Sequence, residues 1–206
     1  MARFSSSTFG KISGKHGTAV AAVRKDGTCI LKVYRAASNP NTVGQKNQRG
    51  KFGFVMKELN CLRKVFTATF GGQYGINKAV SLAMKQAVSG DFPEFKLDFS
   101  QVHISDRILN VATKFELSKA NRQTITISWD SNYCPQSLKT ANVSFVLLQP
   151  ESKQVLWKQD IVTFSSEFAE LIIPPAWEEA KLQVWLYLSP AENYPVIQSL
   201  YLGYAE

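Results

Sequence analysis

Lys181-Leu-Gln-Val-Trp-Leu-Tyr-Leu188 is the most strand-like stretch of the chain, and its reading decides the fold class. Val184, Trp185 and Tyr187 stand among leucines in it, and no helix signal interrupts it. Working outward, the pattern repeats on both sides. Val196-Ile-Gln-Ser-Leu-Tyr-Leu202 closes the chain, and Glu170-Leu-Ile-Ile173 stops at Pro174-Pro175. Val143-Ser-Phe-Val-Leu-Leu148 and Gln154-Val-Leu-Trp157 flank the turn Pro150-Glu-Ser-Lys153, and Thr124-Ile-Thr-Ile-Ser-Trp129 precedes a loop over 132–141. Several short strands separated by turn signals predict an all-β unit over 121–206, a sandwich of the immunoglobulin or fibronectin type III kind. No Cys…Trp…Cys pattern is present, which argues against an antibody-type domain. Trp129, Trp157, Trp177, Trp185 and Tyr187 raise the alternative of an aromatic platform for carbohydrate; core or interface packing fits them better.

Upstream, Phe95-Lys-Leu-Asp-Phe99, Val102-His-Ile104 and Thr113-Lys-Phe-Glu-Leu117 alternate with period two. His103 is therefore expected on a strand beside Asp106, exposed rather than catalytic, since no nucleophile accompanies it. Before Phe92 the period changes. A helix is predicted from about Val43 to Phe66, with Phe52, Val55, Met56, Leu59, Leu62 and Phe66 on one apolar stripe. Ser38-Asn-Pro-Asn-Thr42 reads as the turn that precedes it, with Asn41 or Thr42 as cap. Phe70-Gly-Gly-Gln-Tyr-Gly75 breaks it, and a second helix spans about Asn77 to Val88. The pair reads as a helical hairpin seated on N-terminal strands. Those strands are Thr18–Val23 and Thr28–Tyr34, joined by Arg24-Lys-Asp26-Gly27, a strong hairpin signal. The preceding Gly10-Lys-Ile-Ser-Gly14-Lys-His-Gly17 reads as a loop; its spacing is not that of a Walker loop, and a tight turn is preferred over an anion-binding nest. The fold class is thus α+β, divided into a basic hairpin-and-helix region over 1–92 and a β-sandwich-like domain over 93–206.

The net charge of +8 is unevenly spread. Residues 1–70 hold 13 Lys and Arg against Asp26 and Glu58, whereas the remainder holds 11 basic and 14 acidic residues. Such asymmetry points to a polyanion or an acidic partner surface. The residues expected to make that contact are Lys11, Lys15, Arg24, Lys25, Lys32, Arg35, Lys46, Arg49 and Lys51, by neutralising phosphates or carboxylates. Cys29, Cys61 and Cys134 are far apart and read as buried apolar residues rather than a disulfide framework. His16 and His103 do not make a metal site. No metal and no cofactor is expected. No apolar segment follows Met1 and no run approaches a membrane span, so cytoplasmic synthesis is the expectation.

The pattern Met1-Ala-Arg-Phe4, Gly10, Ser13-Gly14-Lys15, Gly17, Ser38-Asn-Pro-x-Thr42-x-x-Gln45-x-x-x-Arg49-x-x-Phe52 resembles a Bacteroidota family of uncharacterised proteins. Ser128-Trp129 and Ser199-Leu-Tyr-Leu-Gly203 extend the similarity to nearly the whole chain. Thr8-Phe9 departs from it, where a more apolar pair precedes the first glycine. The resemblance implies a bacterial or phage-derived source and carries over no catalytic or binding residue.

Three functions are open at this point. A non-enzymatic binding or assembly protein, contacting nucleic acid or an acidic surface of a larger particle through its basic region, fits best. A structural subunit of a virion-like or surface assembly is the second. An enzyme is the third and fits least, because the sequence offers no GxSxG, HExxH, CxxC or paired histidines.

Overall fold

A computed structural model describes residues 2–4, 12–36, 41–72, 74–111, 113–121, 123–132, 134–177, 181–189 and 197–205. Two compact units divide the chain, Met1–Thr42 and Val43–Glu206. The division falls at 42/43, where the sequence reading had put it at 92/93. The physical reason is where the helices bury their apolar faces, which is against strands that follow them.

The first unit is one antiparallel sheet. Strands β1 (Ala2–Phe4), β2 (Gly14–His16), β3 (Ala19–Val23) and β4 (Cys29–Val33) lie in the order β1-β4-β3-β2. The expected hairpin is β3–β4. Its turn closes through Gly27 N–H to Arg24 O at 2.9 Å, while Thr28 N–H donates to Asp26 Oδ1 at 2.9 Å. Gly27 has φ +81°, a conformation costly for a residue with a Cβ. The glycine segment before β3 is not wholly a loop: Gly14–His16 pairs with β3, and a tight turn at Gly17-Thr18 joins the two strands. The turn over 38–42 lies mostly outside the described residues.

In the second unit, helices α1 (Val43–Leu59), α2 (Arg63–Thr69) and α3 (Gly75–Gln86) come first, with a 3-10 turn at Asn60–Leu62. Short strands β5 (Val88–Ser89), β6 (Lys96–Leu97) and β7 (Arg107–Ile108) follow. Then come β8 (Phe115–Asn121), β9 (Thr124–Trp129), a four-residue helix α4 (Gln136–Lys139), β10 (Asn142–Gln149), β11 (Gln154–Thr163), β12 (Phe168–Ile172), β13 (Leu182–Ser189) and β14 (Gln198–Ala205). They form a five-stranded sheet, β11-β10-β13-β14-β7, and a three-stranded sheet, β12-β9-β8. Pairing is antiparallel except between β14 and β7. Most predicted strands are present, but Val102-His-Ile104 belongs to no strand and Phe95–Phe99 keeps only Lys96–Leu97; β11 runs on to Thr163 past a bulge opposite Ser144, whose Oγ accepts Asp160 N–H at 2.9 Å.

Alternation along β10 and β13 sorts side chains into two cores. Val143, Phe145, Leu147, Val184, Leu186 and Leu188 meet Ile125, Ile127, Ala169 and Leu171 of the three-stranded sheet. Val146, Leu148, Trp185 and Tyr187, on the opposite face, meet Val55, Leu59, Leu62, Phe66, Val80 and Ala83 of the helices. The unit is therefore layered helices, five-stranded sheet, three-stranded sheet. Of the predicted helical stripe, Phe52 is left out, 49% exposed. Gly75 lets α3 start beside α2, since a Cβ there would collide with the Phe66 carbonyl. Lys153 Nζ, in the β10–β11 turn, reaches Glu58 Oε1 at 2.7 Å and ties that turn to the end of α1.

Candidate anion-binding surface

Strand register builds the first part of this surface. Lys15 of β2 stands opposite Val20 of β3, and Val20 opposite Lys32 of β4, so the two lysines share one sheet face with an aliphatic residue between them. Adjacent strands lie about 4.8 Å apart, which separates the two lysine Cα atoms by roughly 10 Å. Tyr34, one alternation beyond Lys32, brings its ring under Lys15, whose Nζ sits 4.1 Å from the ring centroid. That contact steadies the ammonium while leaving it in solvent. Tyr34 was not among the residues singled out from the sequence; its alternation with Lys32 was the available signal.

Arg24 and Lys25 project from the β3–β4 turn, and Arg35 follows β4; all three are exposed, as are Lys15 and Lys32. The one acid among them, Asp26, is held below its ordinary value of 3.8 by the Thr28 N–H, with Arg24 adding to the effect. It stays ionised and is engaged in its own turn. The ion pairs Lys78–Asp106 and Lys153–Glu58 use other lysines.

Lys46, Arg49 and Lys51 belong to the second unit, on α1. At 3.6 residues per turn Lys51 lies about 140° around the axis from Lys46. Accordingly Lys46 and Arg49 are exposed and Lys51 is half-buried on the side of the core. Of the nine expected contacts, five lie on the N-terminal sheet and its turn, two share an outward helix face of the second unit, Lys51 turns inward there, and Lys11 lies outside the described residues.

The other candidate groups are accounted for differently. His103 lies outside any strand, half-buried, and burial pushes its pKa below the ordinary 6.5. Asp106 pairs instead with Lys78 at 3.2 Å. Cys29 is buried; Cys61 is half-buried, its thiol pushed up by burial. Each of the four tryptophans donates its indole N–H, Trp185 to Val102 O at 2.9 Å and Trp157 to Tyr187 Oη at 2.9 Å, and Trp185 is 1% exposed. Core packing, not a carbohydrate platform, is their role here. An open cleft of about 460 Å³ runs between 97–100 and β14, lined by Asp98, Phe99, Gln183 and Tyr201. Asp98 is engaged there by Ser100, whose N–H and Oγ donate to it at 2.9 and 2.7 Å.

Fold and surface together define a mixed α+β protein, with an N-terminal sheet and helices ahead of C-terminal β-sheets. The chain belongs to the family of unknown function DUF6266, whose model matches residues 11–203. No curated protein and no solved structure matches it. No helix among the described residues is long and apolar enough to cross a membrane.

Proposed function

We propose that the protein is a non-enzymatic binding and assembly protein whose basic N-terminal region contacts nucleic acid or an acidic surface of a larger particle. The observation that carries this reading is the row Lys15–Val20–Lys32 with Tyr34 beside it: two exposed cations at fixed spacing on one sheet face. Phosphates are spaced closely enough along a nucleic acid for such a pair to displace condensed counterions, so binding should be strongly salt-dependent and indifferent to sequence. Within this reading the C-terminal sheets act as a sandwich module of the fibronectin type III kind that holds protein partners. The strand orders β12-β9-β8 and β11-β10-β13-β14 support that assignment. The motif pattern supports a Bacteroidota source.

The test is a salt titration of duplex DNA and RNA binding by fluorescence anisotropy, with the Lys15→Ser/Lys32→Ser variant alongside. Affinity is expected to fall by at least tenfold between about 50 and 200 mM salt. The double variant should weaken every sequence alike. Binding that ignores salt would sink the proposal. Capture from native lysate with and without nuclease then separates nucleic acid from an acidic protein surface. A second reading, a subunit of a larger assembly, draws on Leu31 and Val33 of β4, apolar yet 38% and 74% exposed on the other sheet face. Defined oligomers on sizing would favour it; a homogeneous monomer would count against it.

A further inference from the structure

Helix α1 breaks a local rule on its solvent side. Gly53 stands in the helix interior, exposed, with nothing within 4 Å of where a Cβ would sit. A glycine there weakens the helix relative to alanine, and no neighbour requires one. Gly50 differs: a Cβ on it would lie 2.5 Å from Phe92 Cδ2. The Phe92 ring is thus seated on bare helix backbone, and it meets Phe95 edge-on with centroids 6.4 Å apart. On one side Asp91 accepts a hydrogen bond from Asn47 Nδ2 at 3.3 Å; on the other, Phe95 packs on Phe54 at 5.9 Å. Residues 91–95 therefore run along the Asn47–Gly50–Phe54 row of the helix. Although held in this way, Phe92 remains 56% exposed.

The adjacent row of α1, one step toward solvent, is Lys46, Gly53 and Lys57, with Arg49 one turn before Gly53. All four are exposed. A fixed, half-exposed ring thus borders a strip of helix without side chains, flanked by Arg49 and Lys57. Of the nearby exposed acids, Asp91 is engaged by Asn47 and Glu94 lies two residues beyond Phe92. We propose that this face binds single-stranded nucleic acid, a base stacking on Phe92 and the flanking phosphates lying against Lys46, Arg49 and Lys57. Aromatic platforms inside cationic grooves accept any unpaired base, whereas a duplex keeps its bases stacked inside. A symmetric contact between two copies through this face is disfavoured, because it would bring these cations against their own counterparts. The inference rests on the polyanion reading above and adds to it a strandedness and a place.

Fluorescence anisotropy of the full chain with oligo-dT, oligo-U and a duplex of equal phosphate number tests it. Both single strands should bind more tightly than the duplex. Phe92→Ala should lose affinity for single strands by on the order of tenfold and leave the duplex unchanged. Phe92→Tyr should bind as the parent protein does. If Phe92→Ala binds single strands unimpaired while Lys15→Ser/Lys32→Ser weakens all three ligands, the inference is overturned and the broader reading stands. If no ligand binds, both fall. Sedimentation showing self-association that Phe92→Ala abolishes would assign the ring to a contact between copies and overturn the inference as well.

Discussion

Trp185 shows what a single side chain does in this protein. Its ring fills the core between helices and five-stranded sheet, lies against Tyr201 at 5.5 Å and meets Phe99 edge-on at 6.3 Å. Its N–H satisfies the Val102 carbonyl. Trp185→Leu removes the ring's contacts and leaves that carbonyl unpaired, so urea denaturation should register a loss of about 3–5 kcal/mol. His103, the residue next to Val102, carries a pH signature. Burial holds its folded pKa below 6.5, so the folded state takes up its proton less readily than the unfolded chain. Its contribution is therefore undiminished above pH 6.5 and turns unfavourable as pH falls below that value, toward the lower folded pKa. His103→Asn should flatten this part of the stability profile, measured by denaturation between pH 7 and pH 5. The sequence pointed Trp185 toward a core, because its neighbours are apolar on both sides. It could not point to Val102, which lies 83 residues away and meets it only through tertiary packing. Nor could it separate His103 from a strand, because a Val-His-Ile triplet alternates whether or not another strand pairs with it.

At the level of elements, local chemistry was read best. Asp26-Gly27 fixes the β3–β4 turn through contacts within a few residues, and the break between α2 and α3 follows from the glycines at 71–75, whereas the 3-10 turn at Asn60–Leu62 interrupts a stretch expected to run as one helix. Strand β2 was missed because three residues with two polar side chains carry too little alternation to outweigh the flanking glycines. Lys51 departs from Lys46 and Arg49 for a related reason: charge counts along a chain ignore the rotation of a helix, and Lys51 lies half-buried on the core side. Helix α1 itself offers a measurable trade. Gly53→Ala meets no obstruction and should stabilise the protein by about 0.5–1 kcal/mol. Differential scanning fluorimetry would read this as a rise in Tm of a few degrees.

Across the whole second unit, β10 and β13 serve two cores at once. Residues of odd number in β10 face the three-stranded sheet, Val146 and Leu148 face the helices, and the reverse parity holds in β13. Neither core can loosen without moving strands that the other needs, so unfolding of 43–206 should be one cooperative event. Single-tryptophan variants keeping only Trp129, in one core, or only Trp185, in the other, should give coincident fluorescence transitions; separated midpoints would refute the shared-sheet account. The helix layer was hidden from the sequence reading because a continuous apolar run such as 143–148 fits a strand but does not say what covers each side. Doubly covered strands also leave a mark on how the gene can drift. In most sandwich strands every second codon is free to change, giving a checkerboard of tolerated and forbidden positions. Here a saturation scan would meet two unbroken bars of intolerance, at 143–148 and 184–188, and divergence between relatives would have to accumulate elsewhere, on the turns and on the outward side of β12.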